Sequence, residues 1–150
     1  MAQQQTFVII KPGVLQRRLV GEVVARIERK GLRIEAMKLI TMSRELCERQ
    51  YAEHKGKPFY DGLVAFMSSG PSMPMVVSGE EAISTMRKLA GATNAADAEP
   101  GTIRGDLAGV TQKNIVHASD SPESAEREIA LFFSPEELNP WSDGNHDWIV

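Results

Sequence analysis

The stretch Asn114-Ile115-Val116-His117-Ala118-Ser119-Asp120 restricts the fold more than any other part of the chain. β-Branched residues run up to a single histidine, small and polar residues follow, and Ser121-Pro122-Glu123 has the form of a helix start. The pattern predicts a short strand that hands its last side chain to a loop at the head of a helix. Strand ends of this kind are where α/β-type folds tend to carry chemistry. A histidine there can be a base, a ligand, a nucleophile or only a hydrogen-bonded core residue.

The helix that follows narrows the choice. Ala125, Ile129 and Phe132 fall at helical spacing on one face, and Glu128 lies on the same apolar stripe. Glu123, Glu126 and Arg127 point elsewhere, as a solvated face should. A carboxylate on a buried face costs several kcal/mol of desolvation unless it is paired. Glu128 therefore needs a donor, and His117 closes the preceding strand. A carboxylate on one ring nitrogen fixes the tautomer and leaves the other nitrogen free to attack. The alternative is a Glu128 that snorkels to the helix edge.

Upstream, residues 6–10 form an apolar strand that Lys11-Pro12-Gly13 stops. Lys11 is then either a cation held at a strand end or a solvent-facing charge. Leu19, Val20, Val23, Val24 and Ile27 recur at helical spacing, with Gly31 as the stop. A second strand is predicted over 33–40, with Ile34 and Ala36 on one face. Ser43 caps a helix carrying Leu46, Cys47 and Gln50 towards Tyr51. A link over 51–59 with His54, Lys55 and Lys57 leads to a helix starting at Phe59-Tyr60 and carrying Leu63, Val64, Phe66 and Met67. A third strand is predicted over 73–77, with Pro74 an awkward member. A helix over 80–89 turns Ile83, Met86 and Leu89 inward and leaves Arg87 off the stripe.

From 91 to 113 periodicity fades, and a loop that long inside a compact domain is usually functional. In it, Arg104 could offer a guanidinium fork to phosphate or hold the loop together through Asp106. Ser134-Pro135-Glu136-Glu137 reads as a capping box. The element order predicts an α+β, ferredoxin-like (split βαβ) arrangement. The expected form is a four-stranded antiparallel sheet covered by helices on one face, with a long loop before the last strand.

Length fits one domain over 1–150. A net charge of -3 argues against nucleic acid as the main partner, although it leaves room for a local basic pocket. Cys47 is the only cysteine, which excludes a disulfide framework and a cysteine zinc site. No apolar run approaches membrane-spanning length, and Met-Ala-Gln-Gln-Gln is no secretory leader, so a cytoplasmic protein is expected. Phosphate-binding P-loop, dinucleotide Gly-x-Gly-x-x-Gly and protein-kinase His-Arg-Asp motifs are absent from the sequence. A metal site from His54, His117 and His146 lacks any pair at ligand spacing. An RNA-binding sheet would need aromatic residues at strand centres where this chain has aliphatic ones.

Taken together, Asn-Ile-Val-His-Ala-Ser-Asp, Pro-Gly-Thr-Ile-Arg-Gly-Asp, Gly-Ala-Thr-Asn, Leu-Val-Gly-Glu, His-Lys-Gly-Lys-Pro-Phe and Ser-Ser-Gly-Pro resemble the nucleoside diphosphate kinase family in content, order and spacing. The resemblance runs from about Thr6 to the end. It implies a phosphotransferase in which His117 takes the terminal phosphate of a nucleoside triphosphate, chiefly ATP, and passes it to a diphosphate in a ping-pong cycle. Nδ1 would be the nucleophile, Glu128 would act on the other side of the ring, and Ser119 would bond to that glutamate. Lys11, Arg87, Thr93 and Arg104 would hold phosphates, with Tyr51 and His54 close by. Asn114 and Lys11 would reach the ribose hydroxyls. Phe59 would stack on the base, with Leu63 and Thr111 lining its other side. Stacking tolerates any base, so ATP, GTP and the other ribo and deoxy nucleotides are all implied. Mg²⁺ would arrive with the nucleotide, because it prefers phosphate and water oxygens to a protein cage. The implied assembly is a homo-oligomer, a hexamer rather than a tetramer. The chain departs from the family pattern in Lys11-Pro12-Gly13-Val14, where an Asp is usual after the proline, and in Pro74 and Ala95.

Overall fold

The computed structural model describes residues 3–150. β1 (Gln3–Ile10) is the hub of the sheet, because it pairs antiparallel with β4 (Pro71–Glu80) on one side and with β5 (Val116–Ala118) on the other. β2 (Arg33–Met37) adds to the far side of β4, which completes the order β2-β4-β1-β5, and a two-residue β3 (Ile40–Thr41) pairs with the start of β4. The expected four antiparallel strands are present, with β3 as an addition.

Helices lie on both faces of the sheet, not on one. Phe7 to Ile10 are all at most 1% exposed, and successive residues of a strand point to opposite faces. Val8 and Ile10 join Val23 and Ile27 of α1 (Val20–Arg29) and Met86 of α4 (Ala82–Ala90) in one core. Phe7 and Ile9 join a second core with Cys47 of α2 (Arg44–Gln50), Val64 and Met67 of α3 (Tyr60–Met67) and Phe132 of α6 (Pro122–Phe132). A continuous apolar run marks a strand buried on both sides, so the unalternating sequence carried this signal.

The strand expected over 33–40 is broken. A bulge between Ile34 and Ala36 shifts the register, and the pairing lapses between Met37 and Ile40. Pro74 explains the gap. Its carbonyl accepts from Lys38 N–H at 3.2 Å, so its nitrogen, which points to the same side of the strand, also faces β2 and β3. The missing donor thus falls opposite the interruption, and Pro74 is tolerated in a central strand. The bulge also buries Glu35, whose carboxylate accepts from Gln5 Nε2 and Ser78 Oγ, each at 2.7 Å.

β4 runs three residues past the expected 77, to Glu80, because Gln3 to Gln5 extend β1 and pair with it. Glu81, at φ 48°, then turns the chain into α4. The predicted caps form: Ser43 Oγ accepts from Leu46 N–H and Ser121 Oγ from Ser124 N–H, each at 3.1 Å, and Ser134 with Glu137 makes the capping box. The long loop is partly ordered by α5 (Ile103–Leu107), so Arg104 sits on a helix within it. A last short helix, α7 (His146–Ile149), closes the chain. Among the described residues no helix is long and apolar enough to cross a membrane.

Candidate active site

β5 sets the centre of the site. Its register places His117 opposite Ile9, and the ring meets Phe7 and Tyr51 edge-on, each centroid 6.1 Å away. Immediately before β5 the chain makes a γ-turn: Val116 N–H bonds to Asn114 O at 2.9 Å and Ile115 has φ 76°. A β-branched residue in that region is strained, and this form of γ-turn is rare. Arg104 holds it closed. Its Nε donates to Asn114 O at 3.2 Å, Nη2 to Val116 O at 2.7 Å and Nη1 to Gly91 O at 2.8 Å. Of the two readings of Arg104, the one that tied the loop through Asp106 is not met, because Asp106 pairs with Arg26 at 2.8 Å.

Lys11 is buried at 8% exposure, which removes the solvent-facing reading. The turn after it survives the loss of the usual Asp. Gly13 takes φ 93°, where only glycine is unstrained, and its N–H donates to Gln16 Oε1 at 3.0 Å. Lys11 Nζ donates to Asn114 Oδ1 at 2.7 Å, and Asn114 Nδ2 donates to Thr93 O at 2.9 Å. One asparagine therefore ties the end of β1 to the long loop.

His117 Nε2 lies 2.9 Å from Glu128 Oε2, with Glu128 buried on α6 as its place on the stripe required. Behind it, Ser119 Oγ donates to Glu128 Oε1, and Gln50 Nε2 donates to Oε2 at 2.6 Å. Burial pushes the Glu128 carboxyl up. The hydrogen bond and attraction of His117, with the Ser119 and Gln50 bonds, outweigh that and hold it below its ordinary value. No hydrogen bond among the described residues reaches His117 Nδ1.

All the predicted site residues except Ser119 line one cleft of about 740 Å³. Its inner end is cationic: Lys11, Arg104 and Arg87, whose Nη1 donates to Ala118 O at 3.1 Å. Burial, then repulsion from Arg104, lowers Lys11 from 10.5 to about 7. Burial, then repulsion from Arg87, lowers Arg104 to about 10. Both shifts describe cations short of counter-charge, which a bound polyanion would supply. The outer end is aromatic. The Tyr51 and His54 rings are near-parallel at 6.3 Å, and Phe59 stands 5.2 Å from His54 with 51% of its surface exposed. Leu63 flanks it, and Thr111 Oγ1 donates to Asn94 Oδ1 at 3.0 Å across the mouth. The Tyr51 hydroxyl is buried with no hydrogen-bond partner among the described residues, and burial pushes the phenol far up.

Sequence reasoning missed Gln50, Glu53, Gln112, Asp120 and Ser124, of which all but Gln50 line the cleft. Asp120 is held low by Ser124, against a smaller effect of burial and with help from Arg87. Gln50 was within reach. It sits on an inward position of a helix, and a buried amide needs partners for the same reason as Glu128.

Comparison with known proteins points one way. A family model described as nucleoside diphosphate kinase matches residues 4–138. The chain is 56% identical over 146 residues to a nucleoside diphosphate kinase of Archaeoglobus fulgidus, covering 97% of each chain. It is 55% identical over 148 residues to that of Treponema pallidum, covering 99% of each. Among solved structures, a halophilic nucleoside diphosphate kinase from Halobacterium salinarum in complex with CDP aligns with a TM-score of 0.96 at 45% identity, covering 99% of both chains.

Proposed function

The chain belongs to the nucleoside diphosphate kinase family, phosphotransferases that move the terminal phosphate of a nucleoside triphosphate to a diphosphate, and on that premise we propose that His117 carries the phosphate between the two nucleotides in a ping-pong cycle. In the first half, the Nδ1 lone pair forms a bond to the γ-phosphorus as the bond from that phosphorus to the β,γ-bridging oxygen breaks. The diphosphate leaves with that electron pair. In the second half, a terminal oxygen of the incoming diphosphate attacks the same phosphorus and the P–N bond breaks, which returns the ring to its starting state. One cleft serves both nucleotides in turn.

The observation that carries this reading is the His117 ring: Nε2 is engaged by Glu128 at 2.9 Å while Nδ1 has no partner among the described residues. Phosphoryl transfer has a loose transition state, so the protein's task is to aim the nucleophile and neutralise the equatorial oxygens. Glu128, braced by Ser119, aims the ring. Lys11, Arg87 and Arg104 supply the positive charge, with Thr93 beside them. Asn114 and Lys11 suit the ribose hydroxyls, with Tyr51 and His54 alongside. Phe59, Leu63 and Thr111 form a slot that takes a base by its face, which fits ribo and deoxy nucleotides of every base.

Among the described residues no three His, Cys, Asp or Glu side chains gather as a metal cage. A cationic cleft of this kind fits Mg²⁺ carried in on phosphate and water oxygens. The ion would neutralise charge on the phosphates; the chain's own residues bind and orient the nucleotide. We further propose that the whole chain acts as one domain, in the cytoplasm, as a hexamer rather than a tetramer. Trp148 at 89% exposure and Val110 at 56% offer apolar surface for such packing, and light scattering reads the assembly.

The deciding experiment mixes the protein with γ-labelled Mg·ATP and isolates it under alkaline conditions. Acid-labile label that ADP, GDP or CDP each discharge is expected. A folded protein that takes no label overturns the reading in favour of a catalytically silent binding module. Glu128→Ala is expected to lower kcat by up to about a hundredfold without abolishing transfer, since it loosens the aim of the nucleophile but keeps it. Unchanged kinetics would remove Glu128 from its orienting role.

Lys11 adds a pH signature. With its value near 7 in the free protein, Lys11 is mostly neutral at pH 8. A bound polyphosphate favours the charged form and raises that value, so binding at pH 8 takes up a proton and affinity falls as pH rises. Calorimetric titration with ADP in two buffers of different ionisation enthalpy should show proton uptake that Lys11→Gln removes. Equal heats in both buffers for the parent protein would contradict it.

A further inference from the structure

Gln50, the last residue of α2, is 4% exposed and takes no part in the cycle described above. Its Nε2 lies 2.6 Å from Glu128 Oε2 and 3.3 Å from His117 Nε2, while those two atoms are 2.9 Å apart. We propose that Gln50 is a positioning residue for phosphotransfer, whose amide locks the proton of the His117–Glu128 pair onto Nε2 and so keeps the Nδ1 lone pair free. The inference rests on the reading that His117 is the nucleophile.

Of the two contacts the amide makes, the 2.6 Å bond to Glu128 Oε2 outweighs the 3.3 Å approach to His117 Nε2, and it sets the proton pattern of the trio. An amide NH₂ group can only donate. With the amide turned round, its oxygen would face a carboxylate oxygen at 2.6 Å, so the donor end is fixed by its neighbour. Glu128 Oε2 is then an acceptor for two donors, the amide and the ring. A proton moved from Nε2 to the carboxylate would weaken the amide bond, because that bond is strongest to the charged form. Gln50 therefore opposes the tautomer in which Nδ1 bears the hydrogen and cannot attack.

The amide also bears a cost that packing does not explain. Gln50 Oε1 is buried with no hydrogen-bond partner among the described residues. An unsatisfied buried acceptor destabilises a fold, and a hydrocarbon of the same shape would not carry that penalty. A group kept at that expense, in contact with both members of the catalytic pair, is placed for the pair rather than for the core.

The test is Gln50→Leu, with Gln50→Glu as an isosteric second variant should the first not fold. The leucine variant should lose about tenfold in kcat, the scale of one charge-assisted hydrogen bond, with KM for the nucleotide within about twofold of the parent. Its melting temperature should hold or rise. ¹⁵N NMR of His117 should show more of the tautomer protonated at Nδ1 than in the parent. Gln50→Glu should also lose kcat, because a second carboxylate competes for the same proton. Parent-like kcat and tautomer balance overturn the inference, as does a loss of kcat that tracks a fall in melting temperature with the tautomer unmoved. A parent protein that takes no label from Mg·ATP would instead overturn the nucleophile reading itself.

Discussion

His117→Ala is expected to abolish phosphotransfer, with kcat falling by roughly four orders of magnitude or more, while the fold stays intact. The loss is total because the proposed cycle runs through a covalent intermediate on this ring alone. Cations that hold phosphates speed a transfer only when a nucleophile is in line. The fold survives for a local reason. The His117 side chain is 22% exposed and touches its aromatic neighbours at their edges, so its removal opens a hollow towards the cleft rather than a sealed cavity. Glu128 keeps its bonds from Ser119 and Gln50 and is not left as an orphaned charge. Labelling by γ-labelled Mg·ATP and thermal denaturation, run on the same sample, check both halves. Transfer that persists in the variant would rule out the histidine route.

Arg104→Ala is expected to have the largest effect on stability, a loss of about 3–5 kcal/mol, the scale of buried backbone carbonyls left short of donors. For a chain of this size that is a fall in melting temperature of about 10 °C. One guanidinium satisfies three backbone carbonyls, two of which bracket the strained Ile115. Without it Gly91 O and Val116 O lose the Arg104 donor, Asn114 O keeps only the Val116 N–H, and the turn relaxes, which moves Asn114 and His117 together. Activity should therefore fall beyond what one lost phosphate contact explains. Arg104→Lys should recover little, because an ammonium cannot span three acceptors in the planar fork that Arg offers. A melting temperature within a degree or two of the parent would show that the turn holds itself.

What could be read in advance, and what could not, divides by the range of the cause. The His117–Glu128 pair was legible because a carboxylate on an apolar helix stripe demands a donor, and the donor lay one element away. The strands, the caps at Ser43 and Ser121 and the face of α6 follow from local patterns in the same way. The break in β2 was not legible, since its cause is Pro74 on another strand. Helix α5 has five residues, too few for a periodic pattern to stand out. Ile115 runs against its own preference: a β-branched residue before a strand reads as extended, and only the distant Arg104 bends it to φ 76°. Helices on both faces were written plainly in Phe7-Val8-Ile9-Ile10, where the lack of alternation is itself the pattern.

The place of β1 between β4 and β5 bears on how such a chain is made. During synthesis β1 emerges before both of its neighbours, and β4 can cover one of its edges once residue 80 is out. The other edge, with Val8 to Ile10, waits for Val116 to Ala118. Through that interval the nascent chain presents an open edge of unpaired backbone N–H and C=O groups between apolar side chains, the kind of surface that recruits a second chain and aggregates. The three residues that deliver the proposed nucleophile are also the ones that close this edge, so the chain hides its most adhesive strand in the same step that completes its candidate site.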